Sequence, residues 1–361
     1  LTFTGGANRD VLHPSVQAGR YCQYLTDSHT AFHEGPAPVR LNACSYLHNY
    51  AYAANDALLD SKFSEWRREY PIYSSDDSEA LITDLRTTLG GGSGMEVLAR
   101  IEQSKYRPSK KLLEHVGRML NGNAEYVLID DQQIAFDRVL TVARAARTRR
   151  QKTVVLVIGG PGTGKSVIAL NLVAALAREG MSSHYATGSA AFTTTLRTIV
   201  GAKASSLFKY FNSYTAADPE TLDVIICDEA HRLHVTSANR FTKPAAKTGK
   251  SQILELLDVA RTAVFFIDDK QVVRPKEIGS AELIRTTAAQ AKANFSEIQL
   301  QVQFRCGGSD GYIQWINNTL EIERTPTILW NEGQPFEFRI IESPERLDEL
   351  VRQRLREGFK A

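Results

Sequence analysis

Apolar residues follow two spacings along the middle of the chain. Continuous apolar runs at 153–158, 224–227 and 264–267, with a shorter one near 184–186, predict buried strands. Between them, apolar positions recur every three or four residues at 133–146, after Lys165 and through "SQILELLDVAR", which predicts helices. Strands and helices alternating in this way predict an α/β fold, a parallel sheet with helices on both faces. Residues 1–89 lack this order; they are rich in Tyr, His and Asn, and "LGGGSG" (Leu89 to Gly94) is the first flexible break. From 95 to 120 helical spacing returns, with "RPSKK" as an internal stop and restart. Four segments are expected: 1–90, a helical connector at 91–125, the main α/β domain at 126–296 and a last segment at 297–361. No internal repeat or low-complexity tract is present.

Charge narrows the partners. The 361 residues carry 43 Lys+Arg against 41 Asp+Glu, so any surface for a polyanion must be local. No apolar stretch is long enough to span a bilayer, and "LTFTGGANRD" has neither the basic nor the apolar part of a leader, so a soluble cytoplasmic protein without membrane contact is expected. Cys22, Cys44, Cys227 and Cys306 form no CxxC pair, and Cys227 lies in a strand pattern, which fits a reducing compartment. The first residue, Leu1, and the last, "REGFKA", read as the ends of a piece of a longer protein.

The sharpest chemistry is "GGPGTGKS", which follows a predicted strand and opens a predicted helix. It fits GxxxxGK[ST] with Gly159, Gly164, Lys165 and Ser166, and Gly160, Pro161, Gly162 and Thr163 lie between them. Glycines let the backbone wrap a phosphate with N–H groups inward, and the positive end of the following helix favours the negative charge. Lys165 is expected to reach the β- and γ-phosphates and the Ser166 hydroxyl to complete a magnesium shell. The stretch therefore predicts ATP or GTP binding with Mg2+.

Such a site needs a carboxylate at the end of a neighbouring buried strand to hold the metal opposite the serine. "VIICDEAH" supplies Asp228 for the metal, Glu229 to orient and deprotonate water, and His231 just beyond. Adjacent acids point to hydrolysis rather than passive binding. "VFFIDDKQ" repeats the arrangement on another strand, with Asp268 and Asp269 at its end and Gln271 placed to sense the γ-phosphate. Ligands in open α/β sheets gather at the carboxyl ends of strands, so these three ends are expected to converge.

Together, "DDQQIAF", "GGPGTGKS", "TGSAAFTTTLR", "CDEAH", "IDDKQVVRPKEIGS" and "VQFRCGGSDGYIQWI" resemble the ordered motifs of superfamily 1 helicases. More narrowly they resemble the bacterial Schlafen-type DNA/RNA helicase family, whose members carry a restriction-nuclease-like region ahead of the motor. The resemblance covers essentially the whole chain. It implies a P-loop NTPase, RecA-like domain at 126–296, a smaller α+β nuclease-like remnant at 1–90 and an incomplete second RecA-like lobe at 297–361. It also implies that Gln132, or its neighbour Gln133, contacts adenine and favours ATP, and that Gln271 couples nucleotide state to the bound strand. Arg305 in "QFRC" would be the arginine finger that meets the γ-phosphate. The later strand-gripping motifs do not follow "PFEFRII" before Ala361. "HPSVQAGRY" holds Gln17 and Tyr21 in a QxxxY arrangement similar to a RecB-like nuclease helix, yet no upstream Asp or ExK stands between Leu1 and Gln17. A nuclease-like remnant without its metal site is the expectation.

Other features stay open on the residues alone. Thr187 and Ser189 read as contacts to a phosphodiester backbone or as a helix cap. Tyr210, Phe211 and Tyr214 read as base-stacking rings or as core. Arg240, Lys243, Lys247 and Lys250 line a nucleic-acid surface or a solvated loop, and "RAARTRRQK" reads first as the solvated end of a helix. His29, His33, Cys44 and His48 have HxxxH and CxxxH spacing, a weaker zinc pattern interrupted by Pro36 and Pro38. The function expected is an ATP-dependent helicase or translocase core acting on single-stranded DNA or RNA, with a role in defence against foreign nucleic acid implied by the family. The other class is a regulatory P-loop ATPase switch that signals to a protein partner without translocating.

Overall fold

The computed structural model describes residues 2–4, 7–9, 11–104, 127–238, 249–271, 274–300, 310–326, 328–329 and 338–357. The chain divides into two compact units, Leu1–Gln301 and Val302–Ala361. In the first, six strands form one parallel sheet: β1 (Thr153–Gly159), β2 (Ser183–Thr187), β3 (Phe208–Tyr210), β4 (Leu222–Asp228), β5 (Ala260–Ile267) and β6 (Asn294–Leu300). Their order across the sheet is β6-β1-β5-β4-β2-β3. Five helices accompany them: α1 (Asp131–Arg149), α2 (Lys165–Arg178), α3 (Ala190–Ser205), α4 (Gln252–Val259) and α5 (Ala281–Gln290).

Strand side chains alternate between two faces, and each face has its own core. Val155, Val157, Val224, Ile226, Val264 and Phe266 pack with Phe136, Val139, Ile168, Leu172 and Leu196 from α1, α2 and α3. Val154, Leu156, Ile225, Cys227, Phe265 and Ile267 pack with Ile253, Leu256, Leu257 and Ile284 from α4 and α5. Burial on both faces is why these strands read as unbroken apolar runs.

Register brings the chemical motifs to one rim. Ile158 lies beside Ile267, Cys227 beside Phe265, Asp228 beside Thr187 and Thr187 beside Tyr210. One point differs from the sequence reading: the strand next to β1 is β5, and β4, which carries Asp228, is one strand further away. The connection through α4 returns β5 to the gap between them, so Asp268 ends up beside the phosphate loop. Strands β3 and β6 were not expected from patterning. Each lies on an edge of the sheet and is partly exposed, with half-polar sequences "FKY" and "NFSEIQL" that carry no continuous apolar run.

Ahead of the sheet, helix Pro14–Ser28 opens with Pro14 in its first turn and His13 Nδ1 accepting from the Ser15 N–H at 3.2 Å. Strands Ser45–Leu47 and Ile72–Ser74 pair in parallel, and the glycine run after Leu89 separates helices Ser78–Leu89 and Gly94–Glu102. His29, His33, Cys44 and His48 do not gather, and among the described residues no group of three or more His, Cys, Asp or Glu side chains is placed to hold a metal. In the second unit the described helices are Asp310–Thr319 and Pro344–Arg356, the latter with no buried residue. Arg305, Cys306, Arg240, Lys243, Lys247 and the "RPSKK" segment lie outside the described residues. Among those described, no helix is long and apolar enough to cross a membrane.

Candidate functional site

The phosphate loop joins β1 to α2. Gly162 and Gly164 have φ of 82° and 87°, the left-handed region open to glycine. At Gly164 a second constraint applies: a Cβ there would stand 2.1 Å from Gln132 Nε2. Thr163 is buried and its hydroxyl donates to the Gly160 carbonyl at 3.0 Å, which closes the loop on itself. The first N–H groups of α2 have no helical partners, so this turn presents donors and a positive dipole end to an anion.

Lys165, only 8% exposed, folds back over the loop. Its Nζ donates to the Gly159 and Gly160 carbonyls at 2.6 and 2.9 Å and stands 3.9 Å from Asp268 Oδ2. That carboxylate oxygen has no hydrogen-bond partner among the described residues, although Asp268 is 2% exposed. An ammonium between carbonyls and a half-satisfied carboxylate, beside glycines shaped to wrap a phosphate, is a donor set that fits a nucleotide polyphosphate.

Asp228 is fully buried at the end of β4. It accepts from the Tyr185 hydroxyl at 2.6 Å, from the Glu229 N–H at 3.0 Å and from the Ser166 hydroxyl. Burial, followed by the charge of Glu229, pushes its pKa up, while the Ser166 and Tyr185 hydrogen bonds pull it down. The structure thus brings Ser166 of the loop and Asp228 of "CDEAH" together, a hydroxyl and a carboxylate suited to a hard divalent cation. Glu229 has φ 57°, ψ 44°, a left-handed conformation that turns its side chain to His231, whose Nε2 lies 3.0 Å from Oε2. That hydrogen bond, working against partial burial, holds the Glu229 carboxyl below its ordinary range.

Gln132 is buried on α1 and donates from Nε2 to the Thr163 carbonyl at 3.0 Å, whereas Gln133 turns to Asp137 at 3.0 Å. Of the two glutamines, only Gln132 reaches the loop among these contacts. Gln271 follows β5 in a turn whose N–H donates to the Asp268 carbonyl at 3.1 Å. The paired acids of "IDDKQ" divide: Asp268 faces Lys165, while Asp269 accepts from the Ala281 N–H at 2.8 Å and fastens the start of α5. Arg305 lies outside the described residues.

Further along the rim, a cavity of about 430 Å³ is lined by Thr187, Gly188, Tyr210, Arg232, His234 and Arg274, among others. Ser189 caps α3 through the Phe192 N–H, so its hydroxyl serves the helix. Phe211 and Tyr214 are core, whereas Tyr210 is partly exposed, with the Arg197 guanidinium 4.8 Å from its ring centre.

Patterning missed two residues of this site. Tyr185 sits inside a strand and becomes a partner of Asp228 only once β2 and β4 are paired. Gly279 passes so close to "CDEAH" that a Cβ would lie 1.9 Å from the Ala230 carbonyl. The glycine of "EIGS" was a visible signal, but the contact that explains it is long-range.

Residues 152–361, more than half the chain and including every motif from the phosphate loop onward, match the family described as Schlafen group 3, DNA/RNA helicase domain. The chain belongs to this family. No curated protein is similar enough in sequence to match this Schlafen group 3 chain. Solved structures similar to it include a DNA replication initiation factor, 13% identical over 62% of this chain and 62% of that one, with a TM-score of 0.25. AMPPCP-bound DnaA from Aquifex aeolicus is 14% identical over 60% of this chain and 56% of its own, also with a TM-score of 0.25. The RuvB Holliday junction branch migration motor of Thermotoga maritima is 14% identical over 53% and 51%, with a TM-score of 0.23. The Schlafen group 3 chain therefore spans under two thirds of the length of each of these proteins.

Proposed function

We propose that the protein binds ATP with Mg2+ at the phosphate loop and hydrolyses it to move on, or remodel, single-stranded DNA or RNA. The observation that carries this reading is the meeting of Ser166 with Asp228, which assembles the two halves of a phosphate-and-metal site from segments 62 positions apart in sequence. A divalent ion there would neutralise charge on the phosphates.

The chain's own groups then take distinct tasks. The N–H groups of residues 160 and 162–166 bind the phosphates, and Lys165 leaves the Gly159 and Gly160 carbonyls to meet them. Ser166 and Asp228 hold the ion. Glu229, kept ionised by His231, orients a water and accepts its proton at a carboxylate oxygen. Gln132 sits beside the loop, with one amide hydrogen on Thr163 and the other able to meet an adenine ring edge. Gln271 and Arg305 are assigned the sensing and arginine-finger roles by family resemblance.

The rim cavity is the proposed place for the strand. Arg232 and Arg274 supply positive charge, the backbone around Gly188 supplies hydrogen bonds to phosphates, and Tyr210 supplies a ring face for a base. None of these reads base identity, which fits a motor that follows any sequence. Action against foreign nucleic acid is the role this activity would serve in a cell.

The experiment is ATP hydrolysis with and without single-stranded DNA or RNA, beside Lys165→Ala. Stimulation by one polymer, with the rate reduced about 10²-fold or more in the variant, is expected when a group preorganised for phosphate charge is removed. Hydrolysis indifferent to every polymer would instead favour a switch that signals to a protein partner.

A further inference from the structure

One side chain joins the N-terminal region to the start of α1. Asp130 occupies the N-cap position of α1, where an aspartate commonly accepts a hydrogen bond from the first turn. Here it makes no capping hydrogen bond, and its φ of 43° lies in the left-handed region that residues other than glycine seldom adopt. The carboxylate is turned instead toward helix Pro14–Ser28. Gln17 Nε2 donates to Asp130 Oδ1 at 2.9 Å, and the Tyr21 hydroxyl donates to Asp130 Oδ2.

Gln17 and Tyr21 are one helical turn apart and so share a face. Arg20 lies on the same side, within the field of Asp137, two turns along α1 from Asp130. Partial burial and the Asp130 carboxylate push the Tyr21 phenol up to about 12, which keeps it a donor at any physiological pH. A residue held in an uncommon conformation by two partners from a distant segment is a place to look for function.

The turn that contains Asp130 also aims Gln132. The Gln132 N–H donates to the Ile129 carbonyl at 3.0 Å, and the Ile129 N–H reaches Gln132 Oε1 at 3.4 Å. The other end of that amide is the one on Thr163 of the phosphate loop. A shift of Asp130 therefore moves the amide that faces the loop.

We propose that Gln17 and Tyr21 brace Asp130 and thereby position Gln132, so that recognition of the nucleotide base depends on helix Pro14–Ser28. This rests on reading the phosphate loop as an ATP site. Gln17, Tyr21 and Asp130 are positioning residues: they act through Gln132. Binding is coupled in both directions, so a nucleotide that fixes Gln132 also fixes the N-terminal helix.

The test is the Kd of ATP and of GTP, measured by competition against a fluorescent ATP analogue, for the 361-residue protein and for Tyr21→Phe, Gln17→Ala, Gln23→Ala and Lys165→Ala. Gln23 is an exposed residue of the same helix and serves as the control. Thermal melting shows that each variant is folded, and Tyr21→Phe, which removes a single hydroxyl from a partly exposed ring, guards against loss of fold. Tyr21→Phe and Gln17→Ala are each expected to weaken ATP about two- to tenfold, the range for one hydrogen bond, while GTP and Gln23→Ala stay unchanged.

Equal weakening of ATP and GTP would mean that the helix supports the fold without positioning Gln132, and would overturn the proposal. So would ATP affinity equal to that of the unaltered protein in both brace variants, with Lys165→Ala weakened; the ATP site would then stand and the brace alone would fall. Unchanged binding in Lys165→Ala would remove the ATP-site reading and the brace with it.

Discussion

Lys165 Nζ stands 3.9 Å from Asp268 Oδ2, both side chains are buried, and the two residues come from different strand ends. A phosphate drawn to this lysine meets the aspartate's negative charge beside it, in surroundings where water screens little. Asp268→Asn removes that charge and keeps the side-chain shape. The variant is expected to bind ADP without magnesium about tenfold more tightly, because one buried like charge at several ångströms is worth at least that at an effective dielectric near 20. Isothermal titration in the presence of EDTA measures it. Weaker binding would show that Asp268 presents Lys165 to the phosphate rather than competing for it.

This pairing also marks how far the sequence could be read. The strand–loop–helix setting of "GGPGTGKS" and the strand end at "CDEAH" were legible because local spacing carries them: glycines where φ is positive, a lysine and serine opening a helix, and acids closing an apolar run. That Asp268 faces Lys165 while its neighbour Asp269 fastens α5 depends on the direction of two adjacent side chains, which spacing alone does not fix. The order β1-β5-β4 was likewise hidden, since nothing in an apolar run states which strand lies next to it. Edge strands β3 and β6 escaped because one-sided burial leaves polar residues among the apolar ones.

The Tyr185 hydroxyl, buried among core side chains, donates to Asp228 at 2.6 Å. Tyr185→Phe keeps the ring packing and removes the donor, leaving a buried carboxylate oxygen short of a partner. A loss of about 1–3 kcal/mol in unfolding free energy is expected from one orphaned buried acceptor. Urea titration measures it, with the slope unchanged if the variant alters stability alone.

His231 holds Glu229 through a 3.0 Å contact and is itself almost fully buried. His231→Ala frees the carboxylate to rotate without touching the phosphate loop. Single-turnover hydrolysis is expected to slow by about 10²-fold, the lower range for misplacing a general base, while the ATP Kd stays within twofold. His231→Gln, which offers an amide donor of similar reach, should recover part of the rate. A matching rise in Kd would assign His231 to nucleotide binding instead.

Gly279 lies where the segment after β5 crosses "CDEAH", and an added Cβ would stand 1.9 Å from the Ala230 carbonyl and 2.7 Å from His231 Cα. Both contacts are backbone, so no side chain can swing aside. The crossing is fixed on its far side as well, where the Ile278 N–H donates to the Leu233 carbonyl at 2.7 Å. Gly279→Ala must therefore displace one of the two segments, and overpacking of this kind costs about 1–3 kcal/mol. Because Glu229 and His231 belong to one of the two clashing segments, turnover should fall together with stability, unlike the His231 variant, whose fold should persist. A Gly279→Ala protein with unchanged urea midpoint and full hydrolysis would show that the crossing is loose and that the positions of Glu229 and His231 are set from β4 alone.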